Sequence, residues 1–279
     1  MIRDAEKYRG AALDVVVLAG QSNAQGCGIG EVADAYEPDE RILMMQDTFP
    51  VRFEKDAEGK DHLCVQRPTE FVIGLAREAE NDGGQKLGNL ALAFARRYVQ
   101  EGRLAEGRRL LIVNGTYGGT GFARNEWGVT GCLYLRLCDM LDELFALGVP
   151  RRVEAFLWHQ GECDSFENAS LTPEERYRKH LSDLTMQMEN FCGKYGKVPF
   201  VCGGFTDEWT QANGPQCGAI LRAMQEYCQN AGRAAFVETQ GLASNDKATG
   251  NGDSLHFCRA SLYVLGEKYY DAYLSLLKN

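Results

Sequence analysis

The sequence lacks a long apolar run and has few basic residues for its acidic ones. No stretch of its 279 residues approaches the roughly 18 apolar residues that a membrane span needs. The 30 Lys and Arg residues are outnumbered by 39 Asp and Glu residues, which gives a formal net charge of −9. Nucleic acid and anionic membrane surfaces require basic patches, so this balance disfavours both as partners. A small neutral or sugar-like ligand fits the charge better.

Export signals and paired cysteines are also missing. The segment from Met1 to Gly10 is charged and has no apolar centre of the kind found in signal peptides. None of the ten cysteines forms a C-x-x-C pair, and most lie singly in apolar or helical surroundings, as Cys138 and Cys202 do. We therefore expect reduced, mostly buried thiols in a cytoplasmic protein rather than a disulfide framework.

Strand-like apolar runs alternate with helical patterns along the chain. Strands are predicted at residues 13–19, 41–46, 109–114, 153–158 and 198–203, with a possible short run at 235–238. Helices are predicted at residues 87–101, 133–147, 173–195, 215–231 and 259–277. This alternation favours an α/β fold in which helices cover both faces of a parallel sheet, and we expect one domain over residues 1–279.

The segment 47–85 departs from the alternation because it is long and polar. Residues 51–55 and 62–66 flank the sequence DAEGK at 56–60, a pattern that predicts a β-hairpin inserted at the rim of the sheet. Insertions of this length are usually functional or loosely ordered. The sequence does not indicate what this segment contacts.

The first apolar run breaks off into Gly20-Gln21-Ser22-Asn23. Open parallel sheets bind ligands beyond the carboxyl ends of their strands, so Ser22 is placed where chemistry is expected. A serine hydroxyl is a weak nucleophile until a base removes its proton, and a histidine is therefore required. The nucleophile elbow of α/β-hydrolases does not apply, because its G-x-S-x-G pattern would need glycine where Ala24 stands.

The chain has four histidines, at positions 62, 159, 180 and 256. His62 falls in the predicted hairpin and His180 in a charged helix, so both are expected at the surface. His256 has Asp253 three residues before it, near the start of the last helix, and residues three apart on a helical turn share a face. Asp253 would then orient the imidazole of a Ser-His-Asp triad. The alternative is that Asp253 caps the helix and His256 is incidental.

Two segments offer donors for the oxyanion that forms in ester hydrolysis. The glycine-rich segment 114–121 can aim backbone N–H groups into the site, although a plain turn is equally compatible with it, and it lacks the Lys-Ser/Thr of a phosphate-binding loop. In the block 158–164, Gln160 has an amide that donates without titrating. A metal site there is not expected, since the spacing matches no zinc pattern. Trp158 is either a core residue or a platform for sugar stacking.

Taken together, these blocks resemble the SGNH-hydrolase superfamily, specifically its sialate O-acetylesterase-like and acetylxylan esterase group, carbohydrate esterase family 6. The resemblance covers most of the chain and lies in four blocks in order: Gly20 to Asn23, Gly118-Gly119-Thr120, Trp158-x-Gln160-Gly161-Glu162-x-Asp164, and Asp253-x-x-His256. Trp127, with Gly131 and Tyr134 beyond it, is also similar to that group. The fold implied is a three-layer α/β/α sandwich around a five-stranded parallel sheet, of flavodoxin-like type.

The resemblance also implies roles for individual residues. Ser22 would be the nucleophile, His256 the general base and acid, and Asp253 its orienting acid. The N–H of Ser22, a backbone N–H at Gly119 (with Gly118 as the alternative) and the side chain of Gln160 would hold the oxyanion. Gln21, Trp127 and Glu162 are expected at the substrate, with Arg124 and Asn125 as further candidates.

The expected activity is that of a carbohydrate O-acetylesterase without cofactor or metal, acting on an acetylated sugar through an acetyl-serine intermediate. One alternative is an esterase of the same fold that acts on a lipid or a thioester. A non-catalytic sugar-binding relative is the other. The sequence indicates neither which acetylated sugar is used nor an oligomeric state.

Overall fold

The computed structural model describes residues 1–48, 52–55, 59, 61–64, 70–150, 152–164, 172–192 and 197–278. Its central sheet contains seven strands: β1 (Leu13–Gly20), β2 (Ile42–Asp47), β5 (Phe71–Leu75), β8 (Arg109–Asn114), β9 (Val153–His159), β10 (Phe200–Gly203) and β11 (Ala234–Val237). Their spatial order is β11-β10-β9-β1-β8-β2-β5. All neighbouring pairs are parallel except β2 with β5, which is antiparallel.

Two small antiparallel pairs lie outside this sheet. One joins β3 (Arg52–Lys55) to β4 (Asp61–Cys64), within the segment predicted as an inserted hairpin, whose remaining positions at 49–51, 56–58, 60 and 65–69 lie outside the described residues. The other joins β6 (Ala79–Glu80) to β7 (Lys86–Leu87).

The helices are α1 (Ser22–Gln25), α2 (Leu90–Gln100), α3 (Cys132–Ala146), α4 (Pro173–Cys192), α5 (Asp207–Ala212), α6 (Gly214–Asn230), α7 (Asn245–Thr249) and α8 (Arg259–Leu276). A short 3₁₀ helix, Ala5–Tyr8, precedes β1. Within the described part of the chain, no helix is long and apolar enough to cross a membrane.

The central strand β1 is buried along its whole length because both faces of the sheet are covered. Val15 and Val17 pack into one core cluster together with α3, α4 and α6. Val16 and Leu18 point to the other face and pack with α2 and α8. The alternation of side chains along a strand therefore divides one continuous apolar run between two cores, and the predicted three-layer sandwich is confirmed.

The sheet has seven strands rather than the predicted five. β11 corresponds to the possible short run at 235–238. β5 lies in the segment interpreted as an insertion, where a five-residue run containing Gly74 carries little strand signal. Its place in the sheet comes from antiparallel pairing with β2, from Leu43 opposite Leu75 to Asp47 opposite Phe71.

None of the nine cysteines that the structure describes forms a disulfide, and five of them are buried. The sulfurs of Cys202 and Cys228 lie 3.6 Å apart in the core, where burial raises the pKa of the Cys202 thiol. This arrangement agrees with the expectation of reduced thiols.

Candidate active site

Ser22 stands at the carboxyl end of the central strand, where β1 passes into the short helix α1. Gly20 makes this turn possible: its φ is 129°, and a Cβ there would lie 2.1 Å from the carbonyl oxygen of His159 on the neighbouring strand β9. Only glycine fits that combination of dihedral angle and close approach. The Ser22 side chain is nearly buried, with 7% of its surface exposed, at the edge where the parallel strands end.

His256 connects Ser22 to Asp253. Its Nε2 lies 2.8 Å from Ser22 Oγ, and its Nδ1 lies 2.8 Å from Asp253 Oδ2. With Nδ1 protonated, the imidazole donates to Asp253 and presents an unprotonated Nε2 to the serine hydroxyl. Residues from the two ends of the chain therefore form one hydrogen-bonded line from hydroxyl to carboxylate.

Asp253 and His256 lie in the loop between α7 and α8, and the expectation that they share a turn of the last helix is wrong. That helix begins at Arg259, and Cys258 is its N-cap. Asp253 is not the helix cap of the alternative interpretation; its Oδ1 accepts from the backbone N–H groups of Leu255 and His256, each at 3.2 Å. These contacts fold the loop so that the carboxylate meets the ring.

Asp253 is held in its ionised form. Partial burial opposes ionisation, but hydrogen bonds from Asn245 and His256 to Oδ2 outweigh it and lower the pKa of the Asp253 carboxyl below its ordinary value. Asn245 Nδ2 donates at 2.9 Å, and the same amide nitrogen donates to the carbonyl oxygen of Cys27 at 3.0 Å. Asn245 therefore fixes the carboxylate against the segment that follows α1.

The other two histidines with described side chains are unsuited to act on Ser22. His159 is fully buried, contacts Tyr269 through Nδ1 at 2.9 Å, and has its pKa lowered to about 3 by burial. His180 stacks on the ring of Phe122, and burial lowers its pKa as well. His62 has no described side chain.

The turn from Tyr117 to Gly119 lies against Ser22. A Cβ on Gly118 would stand 3.5 Å from Ser22 Cβ, an ordinary van der Waals distance, and 3.2 Å from Gln25 Oε1, so this turn lies directly beside the serine. The N–H of Gly118 donates to Gln25 Oε1 at 2.9 Å. The N–H of Gly119, whose φ is 71°, has no hydrogen-bond partner among the described residues. The Ser22 N–H lies in the first turn of α1, where helical N–H groups lack an internal acceptor.

The side chain of Gln160 contacts other buried protein groups next to this turn. The side chain is fully buried, and its Nε2 lies within hydrogen-bond distance of Asp164 Oδ2 (2.9 Å), the Thr120 carbonyl oxygen (3.1 Å) and Gln21 Oε1 (3.2 Å). An amide nitrogen carries two hydrogens, so protein acceptors already occupy its donating capacity. A direct contact between Gln160 and an oxyanion stays a prediction.

Asn23 is a functional candidate for which the sequence suggested no role. It is fully buried, and its Nδ2 donates to Glu162 Oε1 at 2.7 Å and to the Leu255 carbonyl oxygen at 3.3 Å. Its Oδ1 accepts from the N–H of Phe257 at 3.0 Å. Asn23 thus hydrogen-bonds to the backbone of Leu255 and Phe257, the two residues that flank His256. The only sequence signal for this role is its position directly after the Gly-x-Ser turn.

The expected substrate contacts Gln21, Trp127 and Glu162 are buried, with 2% or less of their surfaces exposed. The carboxylate of Glu162 accepts a hydrogen bond from Asn23, and burial raises the pKa of the Glu162 carboxyl. Trp127 donates from Nε1 to Thr120 Oγ1 at 3.0 Å and packs edge-on against Trp158, which is itself a core residue. A contact of these three residues with a substrate stays a prediction.

Arg124 and Asn125 lie nearer the surface. The Arg124 guanidinium forms an ion pair with the buried Glu126 and donates to the carbonyl oxygen of Gly119. Asn125 has a left-handed φ of 57° and donates to Thr130 Oγ1. No cluster of three metal-ligating side chains occurs in the described ranges.

Comparison with known proteins gives a family match and several similar folds. Residues 12–275 match the family described as "Carbohydrate esterase, sialic acid-specific acetylesterase". Among solved structures, NanS aligns with a TM-score of 0.67 at 17% identity, covering 96% of this chain and 98% of NanS. A protein from Arabidopsis thaliana aligns with a TM-score of 0.65 at 18% identity over 95% and 98% of the two chains.

A third similar structure is a carbohydrate acetylesterase from Xanthomonas citri, with a TM-score of 0.59 and 14% identity over 93% of this chain and 55% of that one. At such identities these likenesses concern the fold. No curated protein matches the chain.

Proposed function

The chain belongs to the sialic acid-specific acetylesterase family of carbohydrate esterases and is a carboxylic ester hydrolase; from that premise we propose that Ser22 is its nucleophile. The observation that carries the proposal is the line of two 2.8 Å contacts from Ser22 Oγ through His256 to Asp253. We propose an acetylated carbohydrate as the substrate.

In the first half of the reaction, His256 Nε2 removes the proton of Ser22 Oγ while that oxygen attacks the acetyl carbonyl carbon. The resulting tetrahedral intermediate collapses when the imidazolium gives the proton to the sugar oxygen, which leaves as an alcohol. In the second half, His256 activates a water molecule that attacks the acetyl-serine. The proton then returns to Ser22 Oγ, and acetate leaves.

Asp253 makes this proton exchange possible without taking the proton itself. Its carboxylate accepts from Nδ1–H, which keeps Nε2 free as the base and stabilises the positive ring that forms. The lowered pKa of Asp253 keeps this charge in place throughout the neutral range. His159, whose pKa of about 3 leaves it neutral in the same range, takes no part in the exchange.

The oxyanion is held by the N–H groups of Ser22 and Gly119. Gly119 is favoured over Gly118 because the N–H of Gly118 already donates to Gln25, whereas that of Gly119 has no partner in the described part of the chain. Gln160 supports the oxyanion site indirectly, because its amide nitrogen donates to the Thr120 carbonyl oxygen and to Gln21 Oε1. In this arrangement Gln160 is a positioning residue for the turn that carries the donors.

The composition supports a cytoplasmic location, which we propose as the place of action. A reducing compartment agrees with nine described cysteines that form no disulfide.

Acetate release from acetylated sugars and from p-nitrophenyl acetate tests the proposal. We expect Ser22→Ala to lower kcat by about 10³-fold or more, because a triad without its nucleophile loses the covalent route. Ser275→Ala is the matched control, since Ser275 is an exposed serine whose hydroxyl donates only to Ala272 within α8. Equal rates for wild type and Ser22→Ala would contradict the assignment of the nucleophile.

A series of esters with longer acyl chains separates the acetylesterase from a lipid or thioester hydrolase of the same fold. The proposal requires that acetyl esters are hydrolysed fastest. A preference for longer chains would favour the alternative.

A further inference from the structure

A cavity of about 300 Å³ lies between the edge of the sheet and the start of α2. Its walls come from β2 and β5, from the end of β8 and from the residues that precede α2. Gln46 and Asn114 enter it at the carboxyl ends of β2 and β8. The cavity therefore belongs to the same edge of the sheet as Ser22.

Gln25 joins this cavity to the catalytic serine. It is the last residue of α1, three residues after Ser22, which is roughly 4.5 Å along a helix axis. Its side chain lines the cavity and accepts from the N–H of Gly118. Asn89, another lining residue, donates from Nδ2 to the Gln25 carbonyl oxygen at 2.9 Å. The cavity wall is thus tied to the helix that carries the nucleophile.

The lining combines side-chain amides with aliphatic surface. Gln25, Gln46 and Asn114 supply amide donors and acceptors, and the strand β5 supplies Val72, which lies opposite Gln46 and shares its face of the sheet. Asn114 Oδ1 accepts from Thr116, while its Nδ2 has only a long contact of 3.8 Å to a methionine sulfur, which leaves that nitrogen able to donate to a ligand. Neutral amides beside aliphatic carbons match a sugar ring, which presents hydroxyl groups at its rim and C–H groups on its faces.

The charged residues of the lining are Arg77 and Glu78. Glu78 is paired with Arg259 through contacts of 2.8 and 2.7 Å, and it also accepts from Tyr263. Arg77 is exposed at the rim. The interior of the cavity is therefore polar without an uncompensated negative charge, and a neutral or acidic sugar meets no repulsion there.

A larger cavity of about 690 Å³ does not compete for this role. It is lined by residues that begin or precede strands, among them Arg41, Arg108 and Arg109, and it lies at the amino-terminal edge of the sheet. The eight residues of β1 separate the two edges by roughly 26 Å. An ester bound there would not reach Ser22.

We propose that the 300 Å³ cavity beside Gln25 is the subsite that receives the sugar ring while the acetyl group lies at Ser22. This inference rests on the proposed function and adds to it the place where the carbohydrate is recognised. The amides of Gln46 and Asn114 hydrogen-bond to the sugar hydroxyls, and β5 packs against the apolar face of the ring.

Gly74→Val tests the subsite by filling it. Gly74 lies directly opposite Met44 across the β2–β5 pair, so a side chain there points to the face of Met44, which lines the cavity. A Cβ at Gly74 would meet nothing within 4 Å, and valine is a favoured strand residue. Gly232→Val is the matched control, because Gly232 lies in a turn at the opposite edge of the sheet.

The readout is the ratio of kcat/KM for an acetylated monosaccharide to kcat/KM for p-nitrophenyl acetate, which has no sugar ring. We expect Gly74→Val to lower this ratio by about 10-fold or more, the range expected when a pocket contact is lost, and Gly232→Val to leave it unchanged. Thermal unfolding of each variant accompanies the kinetics. If Gly74→Val does not fold, Gln46→Leu replaces it, because that change removes an amide at nearly constant volume.

Each outcome bears on a different statement. An unchanged ratio in a folded Gly74→Val, or in Gln46→Leu, overturns the subsite. Failure of the wild type to release acetate from any acetylated sugar overturns the proposed substrate class, and the subsite with it. Inhibition of p-nitrophenyl acetate hydrolysis by the free sugar, weakened in Gly74→Val but not in Gly232→Val, supports the subsite by a measurement independent of turnover.

Discussion

Replacing Asn23 by Asp changes one atom in the side chain that holds both flanks of His256. Asn23 Oδ1 can still accept from the N–H of Phe257, as it does at 3.0 Å in the wild type. The nitrogen that donates to Glu162 Oε1 and to the Leu255 carbonyl oxygen becomes an oxygen, so two donor–acceptor contacts become contacts between acceptors. Side-chain volume is almost unchanged, and the effect of the substitution is therefore electrostatic.

The expected loss of stability follows from these two contacts. A hydrogen bond to a buried carboxylate contributes about 2 kcal/mol and one to a neutral carbonyl about 1 kcal/mol, so Asn23→Asp is expected to lower the free energy of unfolding by about 3 kcal/mol near pH 7. The same loss releases the loop that carries His256. A displacement of about 1 Å between His256 and Ser22 is expected to lower kcat by about 10²-fold.

The loss depends on pH because two carboxyl groups would share a buried site. Burial already raises the pKa of Glu162, and a second carboxyl beside it raises at least one of the two pKa values further. A raised folded-state pKa favours the protonated form, so the deficit is small below the ordinary carboxyl pKa of about 4. It grows as the pH rises through the raised value, and urea unfolding between pH 4 and pH 8 measures this trend.

The double variant Asn23→Asp/Glu162→Gln provides the rescue. The new amide at position 162 can donate to the new carboxylate at position 23, which restores one contact with its direction reversed. Asn230→Asp, on the exposed end of α6, is the matched control: it also loses one amide donor, to the Glu226 carbonyl oxygen, but at the surface, so it should lower the free energy of unfolding by no more than about 1 kcal/mol and leave kcat unchanged. The reasoning is refuted if Asn23→Asp keeps the wild-type kcat and stability at pH 7, or if the double variant is no better than the single one.

Two further predictions concern the orienting acid and the turn before the serine. Asp253→Asn should lower kcat by about 10³-fold or more in the p-nitrophenyl acetate assay, because an amide no longer stabilises the imidazolium. The folded-state pKa of Asp253 is lowered, so its contribution to stability is complete above about pH 3.9 and is lost as the pH falls through the folded-state value. The free energy of unfolding of Asp253→Asn should therefore fall less steeply at acid pH than that of the wild type. The same pH dependence in both proteins would argue against the pairing of Asp253 with His256. Gly20→Ala should lower the free energy of unfolding by at least about 3 kcal/mol, because its Cβ would overlap the His159 carbonyl oxygen. Gly10→Ala, with a left-handed φ of 65° but open space, should cost only about 1 kcal/mol, and equal effects of the two in urea unfolding would contradict the steric argument.

Local signals in the sequence predicted much of the fold and the line of Ser22, His256 and Asp253. An apolar run that ends in a glycine-flanked serine identifies a buried strand and its carboxyl end, because both properties are encoded within ten residues. Helix periodicity is similarly local: the predicted helices 133–147 and 259–277 correspond to Cys132–Ala146 and Arg259–Leu276. The strand β5 was not predicted, since only its pairing with β2 makes it a strand.

What the sequence could not predict depends on partners distant in the chain. The sequence does not distinguish Gly118 from Gly119 as an oxyanion donor. The N–H of Gly118 is occupied because it donates to Gln25, which lies 93 residues earlier in the chain. The contact of Gln160 with Gln21 and that of Asn23 with Glu162 likewise each join residues 139 positions apart. Such contacts exist only once the strands have been ordered in the sheet.

That order also determines when activity can arise during folding. The strand β1 leads to the serine, yet its two neighbours in the sheet are β8 and β9, which begin at Arg109 and Val153. The histidine follows 234 residues after Ser22. Contacts of such high sequence separation form slowly, and a chain emerging from the ribosome lacks the second neighbour of its central strand until more than half of the chain has been made. Recovered esterase activity would therefore report the completion of folding rather than its early collapse.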